Sequence, residues 1–297
     1  MRDKQGIEGN VPTPSARRQP PTVRLRRLAA ELRRLRRIAG LSQEEVAEKT
    51  NVNVVTLYRI ETAKAKPQLR TLVTLLDTYG VTDDTRADLL ALQKEAKQRS
   101  WLQSFEGDLP DQYAAFIGLE SEAQEVINYD SLVIPGLLQT EDYARAVIRG
   151  IRPTVTDAEV ESRVTARMRR QALLEGDTPL RLWAIVDQAA LSRTVGGETV
   201  MRAQLAHLAQ QARRPHITIQ VIPFSGGAHP GMLGSFIVLK FGTDDPDVIH
   251  LDSTAGGLFL EKEEDIQRYN QICEYLRAIA LSPADTSALI ASLDGDH

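Results

Sequence analysis

One stretch constrains this chain more than any other: between Val23 and Gly80, leucine stripes of helical period are cut by strong stop and start signals into a series of short helices. Leu25, Leu28, Leu32 and Leu35 recur at spacings of 3, 4 and 3 and predict a first amphipathic helix, with Arg26, Arg27, Arg33, Arg34 and Arg37 mainly on its other face. Gly40 is suited to end it in left-handed backbone. Ser42 and Glu45 then form a capping box, each side chain satisfying an amide at the start of a second helix, and Leu41 is placed to staple onto Val46. That helix ends near Lys49. In the turn Thr50-Asn51-Val52, Asn51 is the residue that best tolerates positive φ. Asn53 caps a third helix from Val54 to about Thr62, with Leu57 and Ile60 inward, and Pro67 closes the next loop. Leu69, Leu72, Val73, Leu75 and Leu76 mark a fourth helix that Gly80 ends. Thr82 caps a fifth, whose inward residues are expected to be Leu89, Leu90 and Leu92.

Three short helices joined this way meet a definite need: one lies in a major groove about 12 Å wide while its neighbour braces it across the phosphates. The run LSQEEVAEKTNVNVVTLYRIETAKAKP (41 to 67) resembles the helix-turn-helix of lambda-repressor-like (Xre-type) regulators, through Ser42-Gln43, Val46-Ala47, Val52, Leu57, Ile60-Glu61 and Pro67. The resemblance implies double-stranded DNA as a partner. By position, Gln43 would bond a phosphate, Val54, Val55, Tyr58 and Arg59 would face bases, and Lys64 and Lys66 would meet the backbone. Asn53 and Thr56 complete the expected set. Arg59 is the best direct reader, because a guanidinium bonds guanine at two places. Val54 and Val55 depart from the polar residues usual at these positions and shift the burden to thymine methyls or DNA shape. Asn51 replaces the usual turn glycine.

Charge agrees with such a partner. Through residue 75 the chain holds 16 Lys plus Arg against 7 Asp plus Glu, and the remainder holds 20 against 33. A basic head on an acidic body points the head toward a polyanion. A length of 297 residues accommodates two domains. Residues 1 to 22, rich in Pro, Gly and polar side chains, read as a disordered tail; 23 to 95 form the helical domain and 96 to 110 a linker. From 111 to 293, helical stretches (about 157 to 175 and 262 to 281 among them) alternate with β-rich runs at 180–186, 217–222, 236–241 and 248–251. The fold class expected is therefore an N-terminal all-α five-helix domain followed by an α/β domain with a mixed sheet and flanking helices. No apolar run suits a membrane span, no signal stretch opens the chain, and Cys273 stands alone. A reducing cytoplasmic setting at the nucleoid, with no membrane partner, is the expectation.

The phrases IPGLLQTEDYARAVI (134 to 148), RRQALL (169 to 174), ITIQVIPF (217 to 224), GSFIVLKF (234 to 241) and LRAIALSP (276 to 283) are similar to the C-terminal domain of antitoxin-like regulators abundant in filamentous actinomycetes. That resemblance implies a small companion protein as partner. Dimerisation is expected as well, since one small helix-turn-helix buries little, and two half-sites about 10 base pairs apart suit a two-fold dimer. The most site-like stretch runs from Pro135 to Thr140, with Gln139, and continues to Tyr143. It is expected to face Arg163, Arg167 and Arg170, a helical ridge suited to an acidic ligand or partner.

Catalytic chemistry is not indicated. His207, His216, His229, His250 and His297 show no metal-ligand spacing, the glycines at 226, 227, 231 and 234 fit no phosphate loop, and Asp244 to Asp247 read as a solvated turn. Neither a cofactor nor a metal is expected. An antitoxin-like interaction protein that binds DNA for autoregulation is the alternative to a ligand-responsive regulator. An enzyme with a DNA-targeting head lacks any supporting constellation.

Overall fold

The computed structural model describes residues 23–95, 109–242, 246–253 and 256–296. The expected tail at 1–22, all but two residues of the expected linker, and residues 243–245 of the Asp-rich turn lie outside them. The helical domain comprises α1 (Val23–Ile38), α2 (Gln43–Thr50), α3 (Val54–Glu61), α4 (Leu69–Thr78) and α5 (Asp83–Glu95). Its boundaries follow local chemistry. Gly40 and Gly80 turn with φ of 68°, and Asn51 adopts φ 58° and ψ 21°. The Ser42–Glu45 capping box is complete, and the Asn53 side chain accepts from the Val55 amide at 2.8 Å. Leu28, Leu32, Val46, Leu57, Ile60, Leu72, Leu75, Leu76 and Leu89 form the buried core. Leu69 instead lies exposed at the start of α4.

Among these apolar residues sits one buried carboxylate. Glu61, 1% exposed, accepts from Arg36 Nε at 2.7 Å and from the Gln43 side chain at 2.7 Å. Its own backbone carbonyl accepts from Arg33 at 2.6 Å. The last residue of α3 thereby ties α1 and α2 together.

In the second domain, α6 (Asp111–Glu120) precedes β1 (Glu125–Asp130), and α7 (Glu141–Ile151) and α8 (Asp157–Arg170) lead to β2 (Arg181–Asp187). The short α9 (Gln188–Ser192) and α10 (Glu198–Gln211) precede β3 (Ile217–Ile222). Then come β4 (Phe236–Lys240), β5 (Val248–Leu251), β6 (Leu258–Leu260), α11 (Glu263–Ile279) and α12 (Pro283–Asp296). The six strands form one mixed sheet in the order β3-β2-β1-β4-β5-β6. β1, β2 and β3 run parallel, and β4, β5 and β6 pair antiparallel. Helices cover both faces, as a sheet with buried parallel strands requires. Val126, Leu182, Ala184 and Val221 belong to one apolar layer with α10, while Ile127, Tyr129, Ile185 and Val238 join Cys273 and Leu276 of α11 in the other.

The α/β architecture and four of the strands fall where the sequence pattern expects them. β1, β6, α6 and α12 are additions. Glu125–Asp130 carries Asn and Asp among its apolar residues, and α6 buries Phe116, Ile117, Leu119 and Glu120 around more than one face, so neither shows a clean stripe.

Glu61→Ala should destabilise the helical domain by about 3 kcal/mol, because it leaves the Arg36 guanidinium without its partner in a largely dry site. Urea unfolding followed by far-ultraviolet circular dichroism measures this. A loss below about 1 kcal/mol would remove Glu61 as the tie between the three helices.

Candidate nucleic-acid interface and C-terminal cavity

α3 has two faces. Leu57, Ile60 and Glu61 point inward and are buried. Val55 (65% exposed) and Tyr58 (47%) stand outward three residues apart, flanked by exposed Asn53 and Thr56. Two large apolar side chains held in water on a short helix offer a contact surface. Lys64 follows in the loop, with Nζ 5.2 Å from the centre of the Tyr58 ring. That loop folds back tightly: the Lys64 and Ala65 amides both donate to the Arg59 carbonyl, and Ala63 takes φ 54°. Arg59 is half-buried, and its Nε has no hydrogen-bond partner. Glu61, which could have claimed it, is held by Arg36 and Gln43.

The expected positions therefore divide. Val55, Thr56, Tyr58 and Lys64 share the open side of α3, with Val54 and Lys66 half-buried beside it. Asn53 spends its side-chain oxygen on the cap. Gln43 turns its side chain inward to Glu61, which leaves the amides at the start of α2 as the groups presented there.

The second domain holds a cavity of about 220 Å³ between α6, α7, α8 and the β1–β4–β5 part of the sheet. Strand alternation supplies its polar floor: Val126, Asn128 and Asp130 point to one side of β1. Asn128 and Asp130 line the cavity with Ser235, His250 and Asp252. The Asn128 amide donates to Asp130 at 2.9 Å. Burial pushes the Asp130 carboxyl up to about 7, against the opposing pull of Ser235, Asn128 and Arg167. Burial also pushes His250 down to about 4, and its ring lies 4.4 Å from that of Phe116. Gly256 and Gly257 let their loop close against Gln112 and His250, where a Cβ would collide.

α8 forms the roof. Arg170, next to fully buried, makes two bonds to Glu120 at 2.6 and 2.7 Å and a third to the Tyr113 hydroxyl at 3.0 Å. Burial opposes its charge, but Glu120 and Tyr113 outweigh that and hold its proton more tightly than usual. Arg167 donates to the Gln139 side chain at 2.6 Å, yet its buried Nε has no partner. Arg163 Nε is likewise buried and unpartnered; burial, followed by repulsion from Arg152, lowers its affinity for a proton.

The 135–140 turn and the arginine ridge thus meet, but their members serve different ends. Arg170 is consumed by Glu120. Tyr143 is fully buried and accepts from the Ile134 amide at 3.2 Å, so it braces the turn from behind. Gln139, Arg163 and Arg167 line the cavity. Sequence reasoning missed Asp130, Arg152 and the Tyr113–Phe116 wall. A signal for the last existed in the i, i+3 aromatic spacing.

No group of His, Cys, Asp or Glu suited to a metal occurs among the described residues, and no helix there is long and apolar enough to cross a membrane. Residues 27–89 match the family model described as a helix-turn-helix domain. Residues 113–292 match that described as a domain of unknown function, DUF5753. No curated protein and no solved structure matches the chain.

Asp130 gives a pH signature. Its folded pKa of about 7 lies above that of the unfolded chain, so its contribution to stability is complete below about pH 4 and is lost as pH rises through about 7. Asp130→Asn should flatten the decline in Tm of the second domain between about pH 5 and 8. Parallel calorimetric profiles for variant and parent would mean that Asp130 titrates normally.

Proposed function

Because this chain belongs to the DUF5753 family and carries a helix-turn-helix domain ahead of that region, we propose that it is a sequence-specific transcriptional regulator of Xre type. It acts as a homodimer, with α3 of each copy in a major groove. The observation that carries this reading is α3 itself: Glu61 locks its inner face, while Val55, Thr56, Tyr58 and Arg59 are left on or beside its open one. The basic composition of the N-terminal quarter supplies the attraction for phosphate. In this reading the start of α2 and the Lys64–Lys66 loop grip the backbone on either side of the groove. The DUF5753 region pairs the two copies and carries the cavity that receives a ligand.

A binding selection on fragmented genomic DNA with the full-length chain tests the whole proposal. Enrichment of a palindrome with half-sites about 10 base pairs apart is the expected result. Enrichment of single, unrepeated sites would remove the dimer, and no enrichment would remove the regulator reading.

A second reading, an antitoxin-like protein that inhibits a small companion, draws on one feature: Leu233 (95% exposed) and Met232 (68%) stand in water on the same loop before β4. A protein partner would cover them. Co-purification of one small protein in equal amount, lost on Leu233→Asp, distinguishes this reading from a ligand-responsive regulator.

Arg59→Ala should weaken specific binding by about 1–3 kcal/mol at fixed salt and leave non-specific binding nearly intact. Fluorescence anisotropy on the selected site and on a scrambled one measures both. An equal loss on the two would assign Arg59 to the phosphate backbone.

A further inference from the structure

The arginines over the cavity do not balance. Four line it: Arg152, Arg163, Arg167 and Arg170. Glu120 cancels Arg170 through two short bonds. Against the other three stand Asp252 and Asp130, and Asp130 is largely neutral below about pH 7. Buried guanidinium N–H groups without acceptors are costly, and both Arg163 and Arg167 carry one. They stand four residues apart on α8, so both lie over the same cavity wall.

We propose that this cavity binds a small amphipathic carboxylic acid, its carboxylate taken by Arg163 and Arg167 and its apolar body lying against Phe116, Ile148, Ile151 and Ile237. A carboxylate matches the edge of a guanidinium in geometry and charge. One carboxylate supplies acceptors to both Arg163 and Arg167, and the one positive charge left over falls to Arg152, which is exposed to water. The opposite wall is apolar, with Ile148 buried and Ile151 exposed at the mouth. At about 220 Å³ the space lies below the range for drug-sized ligands, so the acid is small. The proposal deepens the ligand-receiving part of the function proposed above and rests on it for its regulatory meaning, but not for binding itself.

The test uses the full-length protein without DNA at pH 6. Hexanoate, phenylacetate and indole-3-propionate are each titrated beside the corresponding primary amide, with inorganic phosphate as a further probe. Isothermal calorimetry and thermal shift are the readouts. Expected is one-to-one binding of at least one carboxylate, with its amide and phosphate much weaker. Arg163→Gln should weaken that carboxylate roughly tenfold to a hundredfold, the loss due to one charge-assisted contact. Its ligand-free Tm should not fall, since Arg163 Nε has no partner to lose. Ile151→Asp, a change at an exposed position, should also abolish binding by placing a carboxylate at the mouth.

Failure of all three carboxylates, amides binding as well as acids, preferential binding of phosphate, or an unchanged affinity in both variants would each overturn the proposal. Because DNA is absent, these results are separate from the genomic selection. Carboxylate binding with no operator would retain the site and discard the regulator; an operator without carboxylate binding would do the reverse.

Discussion

The second domain turns on one interaction, the ion pair between Glu120 and Arg170. Their side chains are 1% and 5% exposed, so each charge has given up its water. That costs several kcal/mol per ion, and it is offset only when geometry is favourable and remaining donors are satisfied. Both conditions hold: two bonds shorter than 2.8 Å join the pair, the Tyr113 hydroxyl takes another, and the Phe116 ring lies 4.9 Å from the guanidinium carbon. The pair fixes the end of α6 to the end of α8. It therefore sets the angle at which α8 presents Arg167 and Arg163, about one and two turns back. By absorbing Glu120, it also leaves the buried Nε–H groups of those two arginines without an acceptor among the described residues.

The helical domain uses the same device at smaller scale. Glu61 collects Arg36 from α1 and Gln43 from α2, and the three-way contact determines which side of α3 is open. Replacing such a pair by apolar residues need not lower stability, so its value lies more in fixing one arrangement than in net energy. For α3 that arrangement matters, because a rotation by one residue would bring Ile60 outward and bury Tyr58.

The helical domain was nearly all legible in the sequence because its signals are local. The capping box at Ser42, the left-handed Asn51 and the stops at Gly40 and Gly80 each act within a few residues. The inward role of Gln43 was not, since it depends on a carboxylate 18 residues away. In the second domain, the β3 and β5 ranges were legible from their apolar, β-branched composition, and the meeting of the arginine ridge with the 135–140 turn from helical spacing. The central strand β1 was not, because Asn128 and Asp130 serve the cavity at the expense of strand propensity. Arg170 and Arg163 also look alike in sequence. Only the position of Glu120, 50 residues earlier, separates the arginine that holds the fold from those whose Nε–H finds no acceptor.

The placement of α6 is what would give the cavity a part in the regulation proposed above. α6 is the first described helix after the segment that leads from the helical domain, and Pro110, Gln112, Tyr113 and Phe116 at or near its start line the cavity. The proposed carboxylate on α8 would offset the repulsion between Arg163 and Arg152 while its body touches Phe116 of α6, and so would hold these two helices together. A ligand shifts an equilibrium only by its difference in affinity between two states. The physical source of such a difference would be the Arg163 and Arg167 Nε–H groups, which have no acceptor in the structure. A coupling of 1–3 kcal/mol, typical of allosteric proteins, corresponds to the loss or gain of about one charge-assisted hydrogen bond. The two Nε–H groups on α8 are therefore donors of the strength that such a coupling would need.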